Sequence, residues 1–273
     1  MSLGIAFKGP EGIVLAADSR VTLTAEMRSA QEKMMLPCTF DNATKLLQIA
    51  EQKFVGVVTY GLGAIGRQEP RTAHSLLPEF ENALSQDKVG RFSVEQFAIK
   101  FSDFFMEQWK ATMSESSGAD MLFLIGGFDE GAPYGKVYKV AIPSNPTPEE
   151  QNAGQQFGVT WGGQLEHTNR LLKGFDPQLP LIVKNFLGLT DEQRIALEKH
   201  LEESLSSRIP YPFLPLQDCV DLSVFLIRTT MEIQNWIVGV RGVGGAIDVA
   251  TITRTEGFKP VQRKTVVGQR RVL

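Results

Sequence analysis

The order in which strand-like and helix-like stretches follow one another constrains this chain most. The start reads as strand, turn, strand. Leu3, Ile5 and Phe7 alternate with smaller or polar residues, the period of a half-buried strand. Gly9-Pro10-Glu11-Gly12 supplies turn chemistry, and Ile13-Val14-Leu15-Ala16-Ala17 reads as a more buried partner. A polar stretch from Thr22 to Asn42 reads as a surface excursion. Lys45 to Ile49 and Phe54 to Tyr60 make a second strand pair around an Ala50–Lys53 turn. Two helical patterns follow, over Thr72 to Ser85 and Val94 to Met113. The second places Phe97, Phe101, Phe104, Phe105 and Trp109 at helical spacing, an aromatic stripe that belongs to a core.

Met121–Gly127 and Lys136–Ile142 read as another strand pair, Pro143–Gln151 as a loop, and Phe157–Trp161 as a short strand ending at Gly162-Gly163. Glu166–Leu172 opens a helix. Thr190 is an N-cap ahead of Asp191 and Glu192, starting a helix to about Leu205. Pro210, Pro212 and Pro215 break the pattern. A long helix from Gln217 to about Ile237, a Gly239–Gly245 turn and a last strand over Ile247–Thr253 complete the order, with the Arg/Lys tail beyond Pro260 read as a solvated end. Strands and helices both come in sequential pairs. That excludes a simple βαβ parallel sheet and predicts antiparallel sheets with helix layers outside, in one domain over 1–273.

The 273 residues suffice for a sizeable core, and 42% apolar and 22% charged residues are those of a soluble globular protein. With 28 basic against 31 acidic residues, a net charge of −3 gives no electrostatic reason for nucleic acid or an anionic membrane as partner. The apolar, uncharged run between Lys53 and Arg67 is interrupted by four glycines and is too short to span a bilayer. The first residues lack the basic start and apolar stretch of a secretory signal, which points to the cytoplasm. Cys38 and Cys219 leave a single disulfide open, two reduced thiols being the plainer reading.

Most familiar chemical signatures are missing: no GxxxxGK[ST] loop, no HExxH, no Cys/His cluster, no GxSxG elbow. His74, His167 and His200 are scattered and read as surface or cap residues. The amino terminus remains. Methionine is usually trimmed before a residue as small as Ser2, which would leave an α-amine beside a hydroxyl on one residue. A serine hydroxyl needs a nearby base, and an α-amine with an ordinary pKa of roughly 7.7–8.0 is better matched to neutral pH than a lysine at about 10.4. Position 2 is nonetheless a common place for serine, and alone it carries no weight.

The neighbours of Ser2 do carry weight. The run Gly4 to Arg20, ending Ala16-Ala17-Asp18-Ser19-Arg20, closely resembles the start of mature proteasome β-type subunits and of the related bacterial HslV protease, N-terminal-nucleophile hydrolases. Aligned without a gap on that motif, Ser2 falls on the family's nucleophile. Thr44-Lys45-Leu46-Leu47-Gln48-Ile49 is similar to the family's lysine-bearing strand, with about ten extra residues before it. Thr59-Tyr60-Gly61-Leu62 resembles the strand end whose glycine amide helps form an oxyanion hole, and Gly244 to Ala250 the approach to the last long strand. The likeness is weak in the middle and leaves about 175–215 as a helical insertion.

The resemblance implies an α+β fold, a four-layer αββα sandwich of two antiparallel sheets flanked by helices. It implies Ser2 as nucleophile with its α-amine as base after Met1 removal, Lys45 as the cation that lowers nearby pKa values, Asp18 as its orienting partner, and the Gly61 amide as oxyanion donor. It further implies no cofactor and no metal, an unfolded peptide as substrate, and identical subunits in stacked rings; an ATPase unfoldase is left open. The extra N-terminal helix of gate-forming α-type subunits is missing, since Ser2 nearly starts the first strand. Three departures bear on activity. Serine replaces threonine, and Val240 and Val243 stand where the family has an aspartate and a serine. Its other supporting serine falls at Gly162 or Gly163. An inert ring subunit and a small-molecule amidase are the alternatives to a ring peptidase.

Overall fold

A computed structural model describes residues 2–28, 33–66, 69–87, 90–113 and 118–268. β1 (Leu3–Lys8) and β2 (Ile13–Ala17) form the expected hairpin, closed by a Gly9 N–H bond to the Gly12 carbonyl of 2.9 Å. β3 (Val21–Arg28) and β4 (Lys33–Phe40) follow as a separate two-stranded ribbon. The polar stretch read as a surface excursion is thus largely paired strand. β5 (Leu46–Gln48) and β6 (Val55–Gly61) make the next pair. After α1 (Leu77–Gln86) and α2 (Val94–Thr112) come β7 (Met121–Gly127), β8 (Lys136–Ile142), β9 (Asn145–Gln151) and β10 (Gly158–Gly163). Then α3 (Glu166–Leu172), α4 (Leu179–Leu187), α5 (Asp191–Leu205) and α6 (Leu216–Trp236) lead to β11 (Asp248–Thr253) and β12 (Gly257–Gln262).

Among the described residues two antiparallel sheets carry the architecture, ordered β10-β1-β2-β11-β12 and β5-β6-β7-β8-β9. Ala6, Ile13, Leu15 and Ala17 of the first meet Val58, Tyr60, Leu124 and Val137 of the second in one buried cluster. The outer face of the first sheet packs Leu3, Ile5, Phe7 and Val249 on Leu172, Cys219, Leu226 and Ile227 of α3 and α6. The outer face of the second packs Val57, Phe123 and Ile125 on the Phe80, Phe97, Phe101 and Phe105 stripe of α1 and α2. The result is the αββα sandwich, an α+β fold.

Local chemistry explains the element ends. Ser93 caps α2 through a capping box with Gln96, and Thr190 caps α5 through one with Gln193. The alternation in β1 is one of size, large against small, because the strand is buried on both faces. Gly4 is small because a Cβ there would sit 2.8 Å from Tyr60 and from Val58 across the inter-sheet gap. The segment read as a loop at 143–151 contains β9, an edge strand whose Pro146 and Pro148 need no ladder donors. Lys8, with no exposure, is satisfied by the carbonyls of Asn152 and Gly154 at 2.6 and 2.7 Å, tying β1 to the turn before β10. Both cysteines are free thiols.

Candidate active site

Ser2 stands just ahead of β1 and is 3% exposed. Its carbonyl accepts the Gln164 N–H at 2.8 Å. Gly163, at φ 99°, lies so close that a Cβ would come within 1.9 Å of the same carbonyl oxygen. Only glycine reaches this backbone conformation cheaply and leaves that room. β10 therefore fixes the backbone of Ser2 from one side. The neighbouring Gly162 faces the Tyr60 ring, whose Cζ and hydroxyl lie 2.3 Å from where its Cβ would be. A serine side chain at either glycine has no space.

Asp18 follows β2 and is buried. Its Oδ1 accepts from the Leu3 N–H at 3.0 Å and from Lys45 Nζ at 2.7 Å; its Oδ2 accepts from the Arg20 N–H at 3.1 Å and the Gly244 N–H at 3.0 Å. Lys45 stands one residue before β5 and is likewise buried. Its ammonium has three N–H groups and three acceptors: Asp18 Oδ1, the Arg20 carbonyl at 2.5 Å and Ser2 Oγ at 2.9 Å. Burial pulls the Lys45 pKa below its ordinary value, the Asp18 carboxylate pulls it back up, and the Lys264 and Arg20 cations add to the lowering. Since Lys45 spends a proton on Ser2 Oγ, that oxygen keeps its own proton for a base elsewhere.

Gly61 ends β6 at φ 80°. The Leu62 N–H is taken by the Asp120 carbonyl on β7's side and the Thr59 N–H by the Lys45 carbonyl on the other side. Successive residues of an antiparallel ladder alternate in this way, so the Gly61 N–H faces the Lys45 side, beyond the start of β5. Gly61, Ser2, Lys45, Thr59, Tyr60 and His74 line a cavity of about 90 Å³. Ser2, Asp18, Lys45 and Gly61 are thus brought together. The sequence reading gives Tyr60 only as part of a strand end and His74 only as a surface or cap residue, because a tyrosine in a buried strand and a lone histidine carry no spacing signal for a site. The Tyr60 hydroxyl is buried without a hydrogen-bond partner among the described residues, and burial pushes its pKa far above the ordinary phenol value.

The glycine-rich turn before β11 serves through its backbone. Besides the Gly244 amide on Asp18, the Gly244 carbonyl accepts the Ser19 N–H at 3.0 Å, and Ser19 Oγ donates to the Ala246 carbonyl at 2.6 Å. A Cβ on Gly244 would meet the Arg20 guanidinium at 2.4 Å. Val243 is buried with its N–H on Gln234 Oε1 at 3.0 Å, whereas Val240 is 49% exposed. The basic tail is less solvated than its composition implied: the Lys264 N–H donates to Asp248 Oδ1 at 2.8 Å and its ammonium pairs with Oδ2 of the same buried carboxylate. His167 is buried rather than a surface residue, while His74 and His200 are exposed. Among the described residues no group of His, Cys, Asp and Glu could hold a metal ion, and no helix is long and apolar enough to cross a membrane.

Solved structures with this arrangement of layers exist. An Anbu mutant from Hyphomicrobium sp. strain MC1 superposes with a TM-score of 0.56 at 14% identity, covering 99% of this chain and 89% of that one. The Anbu complex of Pseudomonas aeruginosa, solved as a helical assembly, does so with a TM-score of 0.56 at 12% identity, covering 98% and 88%. The fold is proteasome-like. At such identities the likeness is one of fold and carries no residue roles. The sequence itself matches no protein-family model and no curated protein. Within the proteasome-like frame, the cluster around Ser2 lies where the chain enters the first strand, at one mouth of the gap between the two sheets.

Proposed function

We propose that this chain is a serine-type N-terminal-nucleophile peptidase subunit that cleaves unfolded peptides within an assembly of identical copies. With Met1 removed, the Ser2 α-amine takes the Oγ proton and Oγ attacks the scissile carbonyl. The Lys45 cation stabilises charge building on Oγ, Asp18 keeps Lys45 oriented, and the Gly61 amide donates to the tetrahedral oxyanion. The α-ammonium returns its proton to the leaving amine, and water then hydrolyses the Ser2 ester. The observation that carries this reading is the 2.9 Å hydrogen bond from Lys45 Nζ to Ser2 Oγ, made by a lysine that Asp18 holds at 2.7 Å. A lysine head turned away, with apolar atoms against Ser2, would have removed it.

The assay is turnover of a fluorogenic peptide. Ser2→Thr retains hydrolysis and Ser2→Ala abolishes it; equal rates for wild type and Ser2→Ala would end the proposal. One observation favours a second reading, an inert ring subunit of the same fold. Val243 turns an apolar side chain into the buried layer beside the Asp18 turn, so no side-chain hydroxyl there helps to hold a terminal amine. That reading expects normal assembly and no peptide turnover by any variant.

A further inference from the structure

The end of the sandwich away from Ser2 gathers cations around a second cavity. β6 runs from Val55 to Gly61, and its Val55 end pairs with Gly127, the last residue of β7. There the turn after β7, from one sheet, and the turn between β11 and β12, from the other, line a common hollow with the segment ahead of α2. It measures about 410 Å³, with Arg91, Phe128, Asp129, Gly131, Arg254 and Thr255 in its wall. That volume falls within the roughly 300–1,000 Å³ of small-molecule sites.

Arg91 is held in place without a ligand and still has donors to spare. Its guanidinium carbon lies 3.9 Å from the centroid of the Phe54 ring, and its Nη2 donates to the Phe128 carbonyl at 2.7 Å. Its Nε is buried with no hydrogen-bond partner among the described residues. Lys53 Nζ stands 5.6 Å from the same ring centroid and adds a second cation to this end. From the other turn Arg254 is exposed, and its guanidinium has no acceptor among the described residues. The carboxylate in the wall does not offset them. Asp129 gives Oδ1 to the Val94 N–H at 2.7 Å and Oδ2 to Lys136 at 3.0 Å. Glu256, beside Thr255, is drawn off by Lys259 at 3.2 Å. In a chain of net charge −3, two arginines thus share one concave site, where the walls concentrate their field.

We infer that this cavity binds a small oligophosphate, whose phosphate groups bridge Arg91 and Arg254. The planar fork of a guanidinium matches phosphate oxygens, and two forks from separate segments suit a ligand with more than one anionic group. Apolar surface to hold a nucleobase is missing, since Phe128 is 2% exposed and Arg91 covers the Phe54 ring. The phosphate chain therefore carries the affinity and the base of a nucleotide adds little. The turn after β7 leaves room for it: a Cβ on Gly131 would meet nothing within 4 Å. A ligand seated there ties the β11–β12 turn of one sheet to Arg91 and the β7–β8 turn of the other. Nothing in this inference depends on the chemistry assigned to Ser2.

The test is isothermal titration calorimetry and thermal unfolding of the purified full chain with sodium tripolyphosphate, in low-salt buffer without magnesium. ATP, GTP and citrate are the comparison ligands. Arg254→Gln is the site variant and Arg208→Gln the control; both positions are exposed and have no hydrogen bond among the described residues, so far-UV circular dichroism stays as in wild type. We expect one site per chain, a thermal midpoint that rises with ligand, and binding that weakens as salt is added. ATP and GTP bind alike. Arg254→Gln weakens tripolyphosphate binding about tenfold or more, the loss of a charge-assisted hydrogen bond, and Arg208→Gln leaves it unchanged. No binding to wild type, or binding that Arg254→Gln leaves intact, overturns the site. Equal weakening by Arg208→Gln overturns it too, as attraction to the surface at large. Citrate bound as tightly as tripolyphosphate replaces the oligophosphate with a polycarboxylate.

Discussion

Lys45 Nζ lies 2.7 Å from Asp18 Oδ1, with the two side chains 5% and 0% exposed. The pair is a junction. Through Asp18 the backbone amides of Leu3, Arg20 and Gly244 converge on one carboxylate, so the first strand, the end of the second and the glycine-rich turn share an anchor. Through Lys45 that anchor reaches the hydroxyl of Ser2. The positioning of the Ser2 hydroxyl and the joining of these three segments therefore depend on the same ion pair.

Removing the cation costs both. Lys45→Met leaves the buried Asp18 carboxylate without its counter-ion, a loss of about 3–5 kcal/mol, and takes the donor from Ser2 Oγ. Urea unfolding reads the first effect, and peptide turnover, expected to vanish, reads the second.

Gly163→Ala tests the other wall of the site. Its left-handed backbone and the Ser2 carbonyl oxygen 1.9 Å from any Cβ both oppose a side chain. The strained backbone alone costs about 1–3 kcal/mol, and the clash adds to it. A clear drop in the thermal midpoint is expected, along with loss of any reaction at Ser2.

Tyr60→Phe goes the other way. Its hydroxyl is buried without a partner, a burden of about 1–3 kcal/mol for an unsatisfied group. The ring packs against Gly4 and Gly162 and is kept by phenylalanine. The variant should unfold at higher urea than wild type and retain hydrolysis.

Cys219 supplies a pH dependence. Burial pushes its thiol from an ordinary 9.0 up to about 12. Below 9.0 the folded and unfolded chains both hold the proton, and stability owes nothing to it. Between 9.0 and about 12 the unfolded chain releases the proton while the folded chain keeps it, so stability falls as pH rises through that window. Relative to Cys219→Ala, wild type should lose thermal stability progressively above pH 9.0; parallel midpoint curves for the two proteins would contradict this.

Much of this was legible in the sequence, and what was not has physical reasons. The hairpin at Gly9–Gly12, the phenylalanine stripe of α2 and the Thr190 cap announce themselves because turn chemistry and helical period are local. β9 was hidden because Pro146 and Pro148 mark a breaker everywhere except at a sheet edge. The β3–β4 ribbon was hidden because Pro37 interrupts β4 and the ribbon joins neither of the two main sheets. α4 falls within the helical insertion expected at about 175–215 but was given no bounds of its own, its apolar residues lacking the one-sided spacing that signals a helix lying on a core. At the site, the motif around Asp18 identified residues that meet in space, but nothing local showed that Gly162 and Gly163 exclude side chains, or that Lys264 folds back onto Asp248.

Intact-protein mass spectrometry of the purified chain, before and after a peptide epoxyketone or β-lactone, bears most directly on Ser2. We expect a mass lacking Met1 and, after the inhibitor, one adduct per chain that peptide mapping assigns to Ser2 and that Lys45→Met fails to form. A chain that retains Met1 and takes up no label would contradict the role assigned to Ser2.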